Sequence, residues 1–294
     1  MNQRGTNLYV YSPMEAVAEA CYLGARLFRY QVMPEGGLAK SLNPQTTSGS
    51  SELTRFVTDN YIPKIKDICR TVAPFGGRVL VDIHNPPGGG TLYLTDDNCR
   101  GALTWMAQKF ATALKDYPEF LGIGVLNEPQ GKVSAVGSVM RQVTGAIREI
   151  KSDAVVCITC PHGQARDAGD IVDLGNDPKI WYEVHFYDPM KVTHQGIGDK
   201  RIGSKYPSST ASIRTLARDL APAIKLRDKG KTVFVGEFSC SKYAARDVRN
   251  RWLSDAITLF QRHQLHWCFH NWAEPGPWEV SEEVKAILRD AWRA

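Results

Sequence analysis

The sequence predicts a single-domain (β/α)8 TIM barrel over residues 1–294, and three observations carry that reading. Eight short apolar runs alternate with helix-patterned stretches from end to end. Repeated βα units of this length make parallel strands, and eight of them make a closed barrel. Several of the runs end on their C-terminal side in polar residues that a core would not hold. No Gly/Ser-rich or Pro-rich linker and no charge run divides the chain. The rival architecture, a doubly wound open sheet, requires a Gly-rich phosphate turn after the first strand, and Tyr9-Val-Tyr-Ser is not one.

The elements follow in order. Gly5–Val10 reads as the first strand. Ser12 is the expected N-cap and Pro13 the first position of a helix that Gly24 ends. Ala25–Val32 is the second strand, and the Gly-, Ser-, Thr- and Pro-rich stretch Pro34–Ser51 is a loop. Leu53–Val72 has helical periodicity that Pro63 is expected to kink. Arg78–His84 is the third strand, and Asp97 or Asn98 is expected to cap a helix reaching Lys115. Leu121–Glu128 is the fourth strand, ended by Pro129, which is expected to hold Glu128 extended. A helix over Val133–Ile150 and a strand over Ala154–Cys160 come next, then a segment with only a short helix before Pro178. Lys179–His185, Thr232–Phe238 and Leu265–His270 are the last three strands. Between them lie a polar loop over 196–209 and helices over Thr210–Lys229 and Ala245–His263. Ser281-Glu-Glu opens the final helix with acid in its first turn.

Composition narrows the function. Hydrophobic residues make up 43% and charged residues 23%, ordinary for a globular protein, and no apolar run is long enough to span a membrane. The net charge of +5 comes from dispersed Lys and Arg, with no basic stripe of the kind that binds nucleic acid. The opening residues Met1-Asn-Gln-Arg-Gly contain no apolar h-region, so no signal peptide is expected in them. Seven cysteines are an odd number in a chain too large to need a disulfide framework. Cys157 and Cys160 form a C-x-x-C, but odd spacing on a strand puts them on opposite faces, so buried thiols are expected. No His spacing suits a metal, and no cofactor is required.

The chemistry centres on Leu121-Gly-Ile-Gly-Val-Leu-Asn127-Glu128-Pro129. Its apolar run suits a strand buried on both faces, and it delivers a carboxyl to the strand tip. In parallel barrels that end carries the active site. Alone, Glu128 could equally be a solvated turn residue. Thr232-Val-Phe-Val-Gly-Glu237 is a second buried run ending in Glu, and two such strands suggest paired carboxyls across a cleft, as glycoside hydrolysis uses. Arg29, His84, Asn85, Asn127, His185, Tyr187, His270, Asn271 and Trp272 also stand at or just past strand ends. Each has a structural explanation singly; together they argue for a site.

These motifs resemble glycoside hydrolase family 5, the cellulase-type retaining β-glycanases. The resemblance covers most of the chain. It implies that Glu128, in Asn127-Glu128-Pro129, is the general acid/base, and that Glu237, in Gly236-Glu237-Phe238, is the nucleophile. It further implies that His84 and Asn85 contact the sugar, that Tyr187 of His185-Phe-Tyr187 hydrogen-bonds the nucleophile, that Arg29 holds the same carboxylate, and that Trp272 stacks on a sugar at the rim. Pro161-His162-Gly163 matches no role in the family, and the substrate loops near 34–51 and 196–209 match no subfamily. The expected activity is an endo-β-1,4-glucanase acting on a β-linked oligo- or polysaccharide, and the resemblance implies secretion. The alternatives are a β-mannanase or another β-glycosidase of the family, and, in a different class, a catalytically dead carbohydrate-binding barrel. A barrel aldolase would need a strand-end lysine, and Lys40, Lys191 and Lys242 fall in loops.

Overall fold

The computed structural model describes residues 2–33, 51–87 and 90–294. Its strands are β1 (Arg4–Leu8), β2 (Leu27–Val32), β3 (Arg78–Ile83), β4 (Phe120–Gly124), β5 (Val155–Gln164), β6 (Ile180–His185), β7 (Thr232–Glu237) and β8 (His266–Trp272). They close in chain order into a barrel, every neighbouring pair parallel, with β8 returning to β1. The helices that cover them are α1 (Met14–Leu23), α2 (Ile62–Val72), α3 (Asp97–Leu114), α4 (Val133–Ile150), α5 (Ile213–Asp228), α6 (Arg246–Arg262) and α7 (Glu282–Arg293). The fifth βα unit has only the 3-10 turn Ala165–Asp170 in place of a full helix.

Period-2 alternation divides each strand between two environments. Outward residues such as Phe28, Tyr30, Val79, Val81, Val156, Ile158, Tyr182 and Val184 pack under the helices in the main core. Inward residues Leu27, Leu80, Leu121, Val155, Cys157, Trp181, Phe234 and Cys268 form a second apolar cluster inside the barrel. One step further along the same inward rows stand Arg29, Asp82 and Glu183, all fully buried. The barrel interior thus changes from hydrocarbon to charge as it nears the C-terminal ends of the strands. Cys157 belongs to the inner cluster and Cys160 to the outer one, as their spacing on a strand requires. All seven cysteines are buried.

Several boundaries differ from the sequence reading. Pro13, not Ser12, is the N-cap of α1, and Ser12 Oγ instead reaches the Trp272 carbonyl at 3.4 Å. Asp96, not Asp97 or Asn98, caps α3 by accepting from the Cys99 N–H at 2.9 Å. The helical run before α2 passes through a π turn at Phe56–Tyr61, immediately ahead of Pro63. Pro63 has no N–H and crowds the carbonyl four residues back, and the wider turn relieves both. The β4 ladder stops at Gly124, and Glu128 is not extended: its φ is 41°. A following proline disfavours the right-handed helical region, and here the residue takes the left-handed one. Strand β5 runs on through Pro161-His162-Gly163 to Gln164. The loop read at 34–51 lies almost wholly outside the described residues, as do Gly88 and Gly89 after β3.

Candidate active site

Arg29 organises the charged layer. Its Nε lies 2.9 Å from Glu183 Oε1, its Nη2 3.1 Å from Asp82 Oδ2, and its Nη1 2.9 Å from Glu237 Oε1. It also donates to Asn7 Oδ1 at 2.9 Å and to Asn127 Oδ1 at 2.8 Å. These partners come from β1, β3, β6, β7 and the segment after β4. A planar fork of five N–H donors can bind them all at once, whereas a lysine ammonium could not. Burial opposes the charged guanidinium, but Asp82, Glu183 and Glu237 outweigh it and keep Arg29 protonated. A Cβ at Gly236 would stand 1.8 Å from Glu183 Oε1, so glycine there leaves room for that carboxyl.

Glu237, at the tip of β7, is buried and doubly held. Arg29 binds Oε1, and the Tyr187 hydroxyl donates to Oε2 at 2.9 Å. Burial would raise the Glu237 pKa; the positive charges of His185 and Arg29, among others, hold it well below the usual carboxylate range. For Tyr187, burial and then the Glu237 charge push the phenol upward, so it stays a donor. For His185, burial works against protonation, but Glu237 and hydrogen bonds to Glu128 and Glu183 lift its pKa to about 10. Both ring nitrogens then carry protons. Nδ1 lies 2.8 Å from Glu128 Oε1 and Nε2 3.3 Å from Glu183 Oε1.

Glu128 differs from Glu237 in its surroundings. Its side chain is 43% exposed, against 7% for Glu237. One oxygen from each carboxyl and a ring nitrogen of His185 all lie within 4.8 Å of one another. Gly163, with φ 70°, admits this arrangement, because a Cβ there would sit 2.7 Å from Glu128 Oε1 and 2.8 Å from His185 Nδ1. The Pro161-His162-Gly163 segment, without a role in the sequence, is therefore a wall of the site. His84 Nδ1 contacts Asp82 Oδ2 at 2.8 Å, and its Nε2 lies 3.2 Å from Asn127 Nδ2. Since Asn127 Oδ1 accepts from Arg29, its amide nitrogen donates to His84, and both side chains are fixed.

Two of the sequence candidates stand apart. Asn85 lines a groove with Tyr93, Glu128 and Gln130 and is not among the residues that hydrogen-bond either carboxyl. Trp272 is 1% exposed, and its ring centroid lies 5.5 Å from that of Trp292 in α7. It is a packing residue between β8 and the last helix, which corrects the expectation of a rim aromatic. The reason is a bulge: β8 gains one residue against β1 between Phe269, opposite Thr6, and Trp272, opposite Leu8, so Trp272 leaves the inward row of Cys268 and lands in the outer core beside Leu8. The aromatic at the mouth is instead Trp278, partly exposed, with its ring 5.5 Å from Tyr187 and 5.1 Å from His194.

Sequence reasoning also missed Asn7, Glu183 and Gly163. Glu183 was readable, since it shares an inward row with His185 two residues later. Trp278 and His194 lie beyond the strands, where no periodicity marks them. Among the described residues, Glu128, His185 and Glu237 form one group close enough to grip a cation.

The family model described as Cellulase (glycosyl hydrolase family 5) matches residues 2–276. Cellodextrinase A of Ruminococcus flavefaciens is 22% identical over 228 residues, which are 70% of this chain; the match spans 65% of that relative's length. Endoglucanase C of Acetivibrio thermocellus is 23% identical over 270 residues, covering 79% of this chain and 77% of the relative. Among solved structures, the endoglucanase Cel5A of Thermotoga maritima superimposes with a TM-score of 0.80 at 16% identity, over 99% of this chain and 96% of the other.

Proposed function

The chain belongs to glycosyl hydrolase family 5 and is a glycoside hydrolase, and on that premise we propose that it is a retaining endo-β-1,4-glucanase with Glu237 as nucleophile and Glu128 as general acid and base. The observation that carries the mechanism is the approach of the two carboxyls to within 4.8 Å. Retaining pairs stand about 5–5.5 Å apart, whereas inverting pairs leave about 6.5–9.5 Å for a water.

The division of roles follows from the two environments. Glu237 is kept ionised by its cationic neighbours, so it attacks the anomeric carbon. Glu128 faces solvent and gives its proton to the glycosidic oxygen as the carbon–oxygen bond breaks. The product is an ester between the sugar and Glu237, and the leaving chain departs as an alcohol. In the second step the Glu128 carboxylate takes a proton from water, the resulting oxygen attacks the anomeric carbon, and Glu237 is released. His185 holds Glu128 Oε1 throughout, which leaves the other oxygen for proton transfer. Asn127, fixed between Arg29 and His84, keeps one amide N–H for a sugar hydroxyl, a contact that strengthens in the transition state.

The assignment to β-1,4-glucan is supported by relatives that are named as endoglucanases and a cellodextrinase. The complete set of Arg29, His185, Tyr187 and both carboxyls argues for catalysis over a binding-only barrel. Release of reducing sugar from carboxymethylcellulose, mannan and mixed-linkage glucan tests the reading. Cleavage of carboxymethylcellulose ahead of mannan is expected; cleavage of mannan alone would replace the substrate while leaving the mechanism.

A further inference from the structure

Asn7 stands on β1 opposite Arg29 in the β1–β2 register and is fully buried, in a row that faces the barrel interior. Its amide oxygen Oδ1 accepts from Arg29 Nη1 at 2.9 Å. Its Nδ2 donates to the Gly236 carbonyl at 2.8 Å and to the Phe269 carbonyl at 3.1 Å. These partners fix the amide's orientation, because the flipped form would set an oxygen against two carbonyls. The two carbonyls belong to β7 and β8 where the sheet is irregular. The paired register of β7 with β8 ends at Val235, one residue before Gly236, and the β1–β8 register shifts between Thr6 and Leu8, at Asn7 itself. Gly236 immediately precedes Glu237, and Arg29 Nη1 is the nitrogen that also donates to Glu237 Oε1 at 2.9 Å.

Resting on the hydrolase reading above, we propose that Asn7 is a positioning residue for the nucleophile: one amide holds the Glu237 backbone from behind, through the Gly236 carbonyl, and its carboxylate from the front, through Arg29. Nη1 carries two hydrogens. Asn7 takes one and Glu237 Oε1 the other, so the guanidinium is pinned in the plane that reaches the carboxylate. The Gly236 carbonyl cannot swing without breaking its bond to Asn7, and that peptide leads directly into the Glu237 Cα. Being fully buried, Asn7 has no surface to offer a sugar, so it acts on the angle and distance of attack and not on substrate binding. Without the amide, two carbonyls and one Arg29 N–H lose their partner inside the barrel, and the strand tip shifts to satisfy them. Attack is sensitive to such shifts: a displacement of about 1 Å costs up to about 100-fold in rate.

The test separates attack from binding with an activated aryl 2-deoxy-2-fluoro-β-cellobioside, whose ester with the nucleophile hydrolyses slowly. The bond from Glu237 to the anomeric carbon forms as the aryl group leaves as a phenolate. The limiting rate of inactivation therefore reads attack, and the half-saturating concentration reads binding. Asn7→Ala should lower the limiting rate about 10–100-fold and leave the half-saturating concentration unchanged. Asn7→Ser, whose hydroxyl keeps one donor and one acceptor, should show the same split with a smaller loss. A purely structural role would lower the melting temperature and leave the limiting rate of the folded fraction at the wild-type value. That result, or a raised half-saturating concentration at an unchanged limiting rate, overturns the proposal. If Asn7→Ala does not fold, judged by its thermal melt, Asn7→Ser decides on the same readout. Failure of the wild type to react with the fluoro sugar or with any aryl β-glycoside would instead reject the hydrolase reading, and this inference with it.

Discussion

Arg29 Nη1 lies 2.9 Å from Glu237 Oε1, and neither side chain has appreciable contact with water. The pair joins the fold to the chemistry. The same guanidinium that keeps Glu237, the proposed nucleophile, ionised also neutralises Asp82 and Glu183 in the barrel interior.

Arg29→Met should therefore damage more than catalysis. It strands buried carboxyls without their cation, and removing one partner of a buried ion pair costs about 3–5 kcal/mol. Urea unfolding should show a midpoint lowered accordingly. Arg29→Lys should recover only part, because an ammonium cannot serve five acceptors in one plane. An unchanged midpoint in Arg29→Met would mean that the acids satisfy one another.

Tyr187→Phe isolates the effect on the nucleophile. It removes the hydroxyl that donates to Glu237 Oε2 and little else. A hydrogen bond to a charged group contributes about 1.5–3 kcal/mol, so kcat/KM should fall about 10–150-fold with a nearly unchanged melting temperature. The sign for pH is also fixed. Glu237 is held low in the native enzyme, so activity is lost only as pH falls through that depressed value. Without the hydroxyl the carboxyl is less stabilised, and the acid limb of the kcat/KM profile should move to higher pH.

His185 should leave a trace in stability. Its pKa rises to about 10 in the folded protein from about 6.5 in the unfolded chain. The stabilisation is complete below about pH 6.5 and is lost as pH rises toward the folded value. Urea midpoints of wild type and His185→Gln, measured from about pH 6 to about 8.5, should converge as pH rises. That window stays below the bulk of thiol titration in the unfolded chain. Parallel curves would place the His185 pKa near its ordinary value.

Trp272 and Trp278 should separate packing from binding. Trp272→Ala empties a buried site against Trp292 and should cost about 3–5 kcal/mol, with normal kcat/KM in the folded fraction. Trp278→Ala should do the reverse, lowering kcat/KM with little change in the melt. Thermal melts beside steady-state kinetics distinguish the two.

These pairs also mark how far the sequence could be read. The barrel was legible because eight strand-like runs recur, all but the fifth followed by a full helical stretch, and both carboxyls were legible because each ends a buried run. Arg29 and Tyr187 could be placed at strand ends beside them. The joint hold of Asp82 and Glu183 on Arg29 was hidden, since an inward row on one strand acquires meaning only against the rows beside it. Trp272 misled because β8 carries several polar and aromatic residues at its end, and the sequence does not say which of them lies on the inner row. Gly163 and Trp278 lie in segments whose paths are set by tertiary packing, with no local pattern to announce them.

The central claim is that Glu237 attacks and Glu128 transfers the proton. The most direct test is the configuration of the glycosyl azide formed when azide rescues alanine variants acting on an activated aryl β-cellobioside, read by proton NMR. Glu128→Ala should still form the ester on Glu237, and azide should then release the β-glycosyl azide with retention. Glu237→Ala cannot form that ester, and direct attack by azide should give the α-glycosyl azide with inversion. The opposite assignment of the two products would reverse the roles of Glu128 and Glu237, and inverted products from the wild type itself would contradict the double-displacement account.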